Sequence, residues 1–269
     1  MTASTANVKG APAPIWQKLR FDARQAAEQE PSLSSYLAAT VLNHENFSEA
    51  LCYQLAQKAG GQDMSALAIR EICEEAYTRE PAIVAAAERD LQAVLDRDPA
   101  TRSTLQPFLF FKGYLALQTH RVAHALWGQG RETLAFFFQS RSSELYGVDI
   151  HPAAPIGSGV FIDHATGIVI GETARVGDDV SMLHGVTLGG TGKVHTDRHP
   201  KIGNGVLLGA GSKVLGNIRI GDEARVGSGS VVLSDVPPRC SVAGVPAKPV
   251  GGACMKPAQT MDQKFDVGL

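Results

Sequence analysis

Apolar residues recur every six positions through the second half of the chain. Thirteen fit this period, with a slip of two residues after Ile162 and an interruption over residues 189–201. They are Ile150, Ile156, Ile162, Ile170, Val176, Met182, Leu188, Ile202, Leu208, Val214, Ile220, Val226 and Val232. Glycine directly follows eight of the thirteen, where a glycine content of about 10% predicts one or two. Because a six-residue unit cannot bury its own apolar face, the units must stack, which predicts a parallel β-helix.

Three hexads are expected to form one coil of this β-helix. Residues 150–167, 170–187, 202–219 and 220–237 then form four coils, and residues 189–201 form a loop outside them. The fourth residue after each apolar position is mostly small or β-branched, which suits a second inward position in a narrow core. These residues are Ala154, Val160, Thr166, Ala174, Val180, Val186, Val206, Ser212, Ala224 and Ser230. The spacing does not determine the handedness of the coil.

The first half of the chain shows helical spacing instead. A stripe that includes Ile83, Ala87 and Leu91 begins after Pro81 and stops before Pro99. Residues 103–146 are the most apolar and are broken around Gly128 and Gly130. The chain is therefore predicted to be α+β, with a loose tail over 1–13, a helical domain over 14–147, a β-helix over 148–250 and a flexible tail over 251–269.

Composition narrows the class of protein. Lys plus Arg total 25 and Asp plus Glu total 27, so no electrostatic footprint for nucleic acid or an anionic membrane is expected. Hydrophobic residues make up 44% and charged residues 19%, which is typical of a soluble globular protein without a membrane span. The four cysteines lie far apart in sequence and no secretory signal precedes the domain, so a cytoplasmic location is expected.

The repeat is broken first between residues 149 and 170. Asp149, His151, Asp163 and His164 cluster there, and the slip falls just after His164. Fifteen residues separate Asp149 from His164, or five-sixths of an eighteen-residue coil, which places both near one corner of the helix. An Asp that holds one ring nitrogen leaves the other as a general base near neutral pH. The alternative is that both residues only cap strand ends on the surface.

The second break is the loop GGTGKVHTDRHPK over residues 189–201. Arg198 and His199 are donors suited to a substrate carboxylate, and the amides of Gly189, Gly190 and Gly192 could approach a ligand closely. Long loops in compact domains are usually functional or disordered, so a mobile solvated loop is the alternative.

The motifs of the chain resemble those of the serine O-acetyltransferases, a family of hexapeptide-repeat acyltransferases that make O-acetylserine for cysteine biosynthesis. They are DIHPAA, DHATGIVIGETA, VTLGGTGK, DRHPKIG, GAGSKVLGNI, GSGSVVL and GVPAK, preceded by HENFSEAL, AIREICEEAY and DLQAVLDRDPA. Together they cover nearly the whole chain. The resemblance implies a left-handed β-helix and a helical domain that builds trimers or dimers of trimers.

The resemblance also implies roles for individual residues. His164 would take the proton from the serine hydroxyl, with Asp149 as its orienting partner. Asp98 and Asp163 would hold the amino group, and Arg198 and His199 would hold the carboxylate. Acetyl-CoA, the co-substrate, would lie between subunits; its expected contacts are Gly190, Thr191, Ala210, Lys213 and Lys248.

Direct transfer in a ternary complex is expected, because a covalent acetyl-enzyme needs an activated nucleophile. Cys52 and Cys73 lie in the helical part, and Cys240 and Cys254 lie at or beyond the last coil. Cysteine would compete for the serine site, as is common in the family. Members that bind O-acetylserine sulfhydrylase typically end in isoleucine, whereas this chain ends in Leu269, a near isostere.

Three other interpretations stay open at the level of sequence. His164 and His184 occupy equivalent positions in successive coils and, with His199, resemble the three-histidine zinc site of the β-helical carbonic anhydrases. The second is an acyltransferase with another acceptor, such as homoserine or a sugar, and the third is a scaffold that only binds sulfhydrylase. No metal is expected, and no role is assigned to four histidines: His44, His120, His124 and His195.

Overall fold

The computed structural model describes residues 14–192, 195–252 and 254–264. The tail predicted over residues 1–13 and the C-terminal Leu269 lie outside the described residues. A helical region comes first, and parallel strands then wind into a left-handed β-helix, which confirms the predicted fold class. Within the described ranges, each helix is too short or too polar to cross a membrane.

The helical region consists of α-helices joined by short connections. Their bounds are α1 Ile15–Gln29, α2 Ser34–Leu37, α3 Phe47–Ala59, α4 Ala66–Arg79, α5 Ala82–Arg97, α6 Leu105–Phe110, α7 Lys112–Gly128 and α8 Glu132–Tyr146; α9 Pro257–Thr260 follows the β-helix. The Asn46 side chain accepts a hydrogen bond from the Glu49 amide at 3.0 Å and so caps α3. Helix α8 ends at Gly147, whose φ of 67° favours glycine. Gly147 therefore marks the change from helix to strand.

The strands are short and form three sheets in the described part of the chain. Their bounds are β1 Val148–Ile150, β2 Phe161–Ile162, β3 Ile168–Ile170, β4 Arg175–Val176, β5 Ser181–Met182, β6 Thr187–Gly189, β7 Lys201–Ile202, β8 Leu207–Leu208, β9 Lys213–Leu215, β10 Arg219–Ile220, β11 Arg225–Val226, β12 Val231–Val232, β13 Ser241–Gly244 and β14 Ala247–Pro249. Sheet A has the order β1-β3-β6-β9-β12, sheet B β10-β7-β4, and sheet C β14-β13-β11-β8-β5-β2. All pairs are parallel except β13 with β14.

The thirteen predicted apolar positions fall into three columns, one for each sheet. Ile150, Ile170, Leu188, Val214 and Val232 align in sheet A. The other two columns pass through Ile202 in sheet B and Met182 in sheet C. Twelve of the thirteen are buried, and Ile156 is half-buried. The six-residue period is therefore the width of one face of the helix, as predicted.

The breaks in the period are visible as extra length in particular coils. From Ile170 to Leu188 one coil takes 18 residues, whereas Ile150 to Ile170 takes 20 and Leu188 to Val214 takes 26. The inward position predicted for Thr166 is wrong, because the two extra residues widen that corner and leave Thr166 exposed. Ala165 and Ile168, both buried, fill the core there. A further rung, with Val236 and Val242, extends the helix beyond the last predicted position.

A buried ion pair joins the helical region to the first coil. Asp90 on α5 is fully buried, and its Oδ2 accepts hydrogen bonds from Arg121 Nη2 on α7 at 2.7 Å and from Gln118 at 3.0 Å. Its Oδ1 accepts the Val160 amide at 2.9 Å, and Arg121 also donates to the Gly157 carbonyl at 2.7 Å. Burial raises the pKa of Asp90 and the Arg121 charge counters that rise. Every oxygen of this carboxylate is thus satisfied across the domain junction.

Helix α5 also places its C-terminal end against the β-helix. The buried Arg97 side chain donates to Ser181 Oγ in β5 at 3.1 Å. Ser181 in turn donates to the Ala258 carbonyl at 2.7 Å, which holds α9 beside the same strand. The flexibility predicted for residues 251–269 stays a prediction, because packing contacts do not measure motion.

Candidate active site

The widened corner of the first coil carries the predicted base in a left-handed backbone conformation. His164 has φ 57° and Ala165 has φ 61°, both in the left-handed region. The same corner contains a glycine with positive φ in every coil, namely Gly167, Gly185, Gly211 and Gly229, so His164 and Ala165 add two left-handed residues to the first coil. A non-glycine residue held in this region costs about 1–3 kcal/mol, and such residues concentrate at active sites. The slip in the repeat therefore projects His164 from the corner at an energetic cost.

The side chains around His164 form what we call the corner cluster: Asp98, Asp163, His164 and His184. The His164 side chain is 74% exposed, and its Nε2 lies 3.7 Å from Asp163 Oδ1. The rings of His164 and His184, at equivalent positions of successive coils, are in edge-to-face contact with centroids 6.0 Å apart. Burial raises the pKa of Asp163 above its ordinary value, and the nearby charge of Asp98 adds to the rise while His164 opposes it. Two neighbouring carboxylates repel each other when both are ionised. The cluster therefore favours the binding of a cation, which compensates their charge.

Asp98 comes directly after α5 and is oriented by its own turn. Its Oδ1 accepts the Ala100 amide at 2.8 Å, and its Oδ2 accepts the Thr101 hydroxyl at 2.6 Å. Because Arg97 fixes the end of α5 against β5, Asp98 is placed beside Asp163. Residue spacing alone could not show this placement, since it depends on how the two domains dock; the family resemblance implied it.

Asp149 lies on β1, with its carboxylate directed to α8 rather than to His164. Its Oδ1 accepts a hydrogen bond from Gln139 Nε2 at 2.5 Å. Among the hydrogen bonds of the described residues, none joins Asp149 to His164, whose closest carboxylate is Asp163. The orienting role of Asp149 stays a prediction.

The second group of polar side chains, the loop cluster, consists of Glu172, Thr173, Arg198 and His199. Arg198 Nη2 donates to Glu172 Oε2 at 2.6 Å, which lowers the pKa of Glu172. His199 is buried, and burial together with the Arg198 charge lowers its pKa. Its Nδ1 bonds the Thr173 hydroxyl at 2.9 Å. A cation and a neutral imidazole thus lie side by side, which suits a carboxylate ligand.

Sequence reasoning missed Glu172 and Thr173. The only available signal was that two polar residues follow the apolar–glycine pair Ile170–Gly171 in an otherwise regular repeat. Their importance depends on the loop folding back over that corner, so that the His199 ring lies against Gly171 and Gly190.

The two clusters lie at opposite ends of the strands of sheet A. His164 and His184 precede β3 and β6, whereas Glu172 and Gly190 follow them. The predicted substrate-binding residues are therefore brought into two groups rather than one within a single chain. For the zinc alternative, His164 and His184 lie at one end and His199 at the other. Across residues 14–192, 195–252 and 254–264, no group of three or more His, Cys, Asp or Glu side chains could hold a metal ion.

The predicted CoA contacts are divided in the same way. Gly190 lies beside Arg198 and His199, and the Thr191 side chain lies against Gly216. Ala210 occupies the same corner position as His164 and His184 in the next coil. Lys213 donates to the Gly185 carbonyl, while Lys248 lies in β14 opposite Ala243.

Two of the histidines without an assigned role support the first coil. His120 Nε2 bonds the Ala154 carbonyl at 3.0 Å, and His124 Nδ1 bonds the Pro152 carbonyl at 2.7 Å. Burial lowers the pKa of His120 to about 3, so this ring is neutral. His44 bonds the Ala39 carbonyl at 3.0 Å within the helical region.

A left-handed β-helix of hexapeptide units, with a histidine projecting from a corner beside the Asp163 carboxylate, defines a hexapeptide-repeat acyltransferase. Comparison with known proteins agrees with this class. Residues 15–119 match the family model "Serine acetyltransferase, N-terminal", and residues 199–234 match "Bacterial transferase hexapeptide (six repeats)". Serine acetyltransferase from Salmonella typhimurium is 53% identical over 253 residues, which cover 94% of this chain and 93% of that protein.

Solved structures of serine acetyltransferases are also similar. One in complex with cysteine has a TM-score of 0.92 at 49% identity and covers 93% of this chain and 98% of its own. The Brucella abortus protein in complex with coenzyme A gives a TM-score of 0.88 at 49% identity, over 90% and 97% of the two chains. The soybean protein complexed with serine gives 0.87 at 49% identity, over 89% and 100%. The chain belongs to the serine acetyltransferase family. It is an acyltransferase that forms O-acetyl-L-serine from L-serine and acetyl-CoA.

Proposed function

We propose that acetyl passes directly from acetyl-CoA to the serine hydroxyl, with His164 as general base, in a site shared by two subunits. The observation that carries this proposal is the projection of His164 from a left-handed corner beside Asp163, a carboxylate that also has Asp98 nearby. Attack on the thioester requires loss of the hydroxyl proton as the C–O bond forms, and an exposed imidazole suits that step. The proton then passes to the departing CoA thiolate.

The charges of the two clusters match those of a serine zwitterion. Asp98 and Asp163 of the corner cluster then bind the ammonium group, and Arg198 and His199 of the loop cluster bind the carboxylate. In the unliganded chain Arg198 pairs with Glu172, so the substrate carboxylate shares this guanidinium or displaces Glu172. An acceptor without both charges, such as a sugar, leaves desolvated charges unpaired and binds poorly.

We further propose that the chain assembles as a trimer, alone or as a dimer of trimers. The support is that the corner cluster and the loop cluster lie at opposite ends of sheet A, so one chain holds two half-sites. A cyclic assembly apposes one end of a face to the other end on its neighbour, so each interface forms one complete site. Acetyl-CoA then lies in the groove between subunits, near Gly190 and Thr191 of one chain and Ala210, Lys213 and Lys248 of the next.

Mixed trimers test this arrangement. Chains with His164→Ala and chains with Arg198→Ala are each expected to be inactive, because each lacks one half of every site. After the two are co-refolded in equal amounts, random assembly pairs both intact halves at about a quarter of the interfaces. We expect activity near that fraction of wild type, measured by thiol release. Continued inactivity of the mixture would show that both halves belong to one chain.

Direct transfer is supported by the positions of the cysteines. Cys52 and Cys73 are buried in the helical core. Contact with Cys73 and burial raise the pKa of the Cys52 thiol, so its thiolate is scarce. Cys254 is buried and its Sγ donates to the Glu223 carbonyl, and Cys240 is half-buried after the last complete coil. None of the four accompanies His164 at its corner.

Cysteine has the same ammonium and carboxylate groups as serine, so it fits the same two clusters. Its thiol would take the place of the hydroxyl near His164. We propose competition with serine as the basis of feedback inhibition, in keeping with the cysteine complex of the similar serine acetyltransferase.

The C-terminal residues support a second proposal, which is docking to O-acetylserine sulfhydrylase in the cytoplasm. Leu269 differs from isoleucine only in the branching of its side chain. A synthetic peptide of residues 260–269 is expected to bind a sulfhydrylase, and its amidated form, which lacks the terminal carboxylate, is expected to bind more weakly. Calorimetry with both peptides checks this, and equal failure of both would remove the partner without affecting the enzyme.

The activity is tested by thiol release from acetyl-CoA with L-serine, L-homoserine, a galactoside or no acceptor, each with and without a chelator. Serine-dependent and chelator-insensitive release is expected. Release with another acceptor alone would mean that the protein is an acyltransferase with a different substrate. Loss of activity on chelation would favour the zinc alternative.

A further inference from the structure

The Thr173 hydroxyl lies at the centre of the loop cluster. Its Oγ1 is 3.0 Å from the Arg198 amide nitrogen and 3.1 Å from the His199 amide nitrogen, and both N–H groups donate to it. The same oxygen is 2.9 Å from His199 Nδ1. One hydroxyl therefore contacts the backbone of both carboxylate-binding residues and the ring of one of them.

Counting donors and acceptors shows which group donates in the hydrogen bond between the Thr173 hydroxyl and His199 Nδ1. A threonine hydroxyl has two acceptor positions and one proton. The two amides use the acceptor positions, so the proton is left for His199 Nδ1. The Thr173 amide also directs its N–H at the same nitrogen, at 3.2 Å. Two donors converge on Nδ1, so a proton on that nitrogen would be opposed by both.

The surroundings of the ring agree with this assignment. The charged or titratable groups that face it are Arg198, Glu172, Lys201 and His151, two of which carry fixed positive charge. Asp197 also lies near the Thr173 hydroxyl and could compete for its proton. Even in that case the Thr173 amide N–H still donates to His199 Nδ1. Lys201 Nζ donates to the Thr173 and His199 carbonyls at 3.0 and 2.6 Å, so this segment is held on both sides.

Two glycines lie against the His199 ring. A Cβ atom on Gly171 would lie 2.0 Å from His199 Nε2, and one on Gly190 would lie 3.4 Å from the same atom. The imidazole is thus packed between two glycines, with its Nε2 edge toward the ends of β3 and β6, the strands that these glycines follow.

We propose that Thr173 is a positioning residue that holds His199 as the neutral Nε2–H tautomer, so that His199 donates to the serine carboxylate without adding a second positive charge. This inference rests on the proposed role of His199 in binding serine. Arg198 then provides the positive charge for the carboxylate, and His199 provides a hydrogen bond that orients it.

The test compares Thr173→Val, which removes the hydroxyl, with Thr173→Ser, which keeps it. For Thr173→Val we expect the KM for serine to rise about tenfold, because the hydroxyl that orients the His199 ring is lost, with the KM for acetyl-CoA changed less than twofold. Thr173→Ser is expected to restore the serine KM. A general loss of stability in Thr173→Val would instead change the KM values for both serine and acetyl-CoA, and Thr173→Ser would not restore the serine KM selectively.

A spectroscopic readout tests the tautomer independently of any variant's kinetics. In protein with ¹⁵N-labelled histidine, the His199 signals, assigned by their loss in His199→Ala, are expected to show an unprotonated Nδ1 and a protonated Nε2. A protonated Nδ1 in the wild type, or a serine KM within twofold of wild type in Thr173→Val, would overturn the inference. If His199→Ala itself left the serine KM unchanged, the proposed binding role would fail, and the nitrogen spectrum alone would decide the tautomer.

Discussion

Replacement of His164 by alanine is expected to lower kcat by about 10²–10⁴-fold, the usual contribution of a general base. The KM values for serine and acetyl-CoA are expected to change little, because the ammonium and carboxylate contacts belong to other residues. The corner itself is expected to fold, since alanine already adopts the same left-handed conformation at the next position, Ala165.

Thiol release under saturating substrates measures this effect. His195→Ala is the matched control, because His195 is an exposed histidine of the 189–201 loop and is not part of either cluster. The control is expected to stay within twofold of wild type. A His164→Ala variant with more than a tenth of wild-type kcat would show that another group removes the proton.

Replacement of Asp90 by alanine is expected to lower the free energy of unfolding by about 3–5 kcal/mol. The change leaves the Arg121 guanidinium buried without its counter-ion and leaves the Val160 amide without its acceptor. These bonds join α5 and α7 to the first coil. The variant is therefore expected to be less stable in both regions, and the helical region and the β-helix are expected to unfold in separate transitions.

Urea unfolding followed by circular dichroism and by intrinsic tryptophan fluorescence checks this prediction. Trp16 and Trp127 both lie in the helical region, so fluorescence reports on that part. The control is Glu74→Ala, which breaks the exposed pair with Arg70 and is expected to change stability by about 0.5 kcal/mol or less. Equal effects of the two variants would mean that the Asp90 pair contributes no more than a surface pair. If Asp90→Ala cannot be isolated folded, the double variant Asp90→Leu with Arg121→Met, which removes both charges, is expected to recover stability.

The fold could be predicted from the sequence because its repeat is short and strictly local. Each hexad places one apolar side chain inward, so the period of six appears in the chain without any knowledge of distant contacts. The final rung escaped prediction because Val236 follows Val232 by only four residues, which breaks the period. The position of Thr166 was wrong for a similar reason, since the two extra residues at His164 changed which side chain fills the core.

The site was predicted less completely because it depends on docking and on assembly. The sequence indicated His164 as the base and Arg198 with His199 as donors, since each interrupts a regular repeat. Residue spacing could not show that Asp98 lies near Asp163, which depends on how α5 meets β5, and only the family resemblance implied it. Nor could it show that Thr173 lies beneath His199, because the loop must first fold back onto the coil.

Direct transfer is tested most directly by mixing the protein with acetyl-CoA alone, at comparable concentrations, before serine is added. We expect no rapid release of CoA and no acetyl group on the intact protein by mass spectrometry, followed by prompt release once serine is present. A burst of one CoA per active site, with an acetylated side chain that serine then discharges, would contradict general-base transfer by His164 and would require a covalent intermediate.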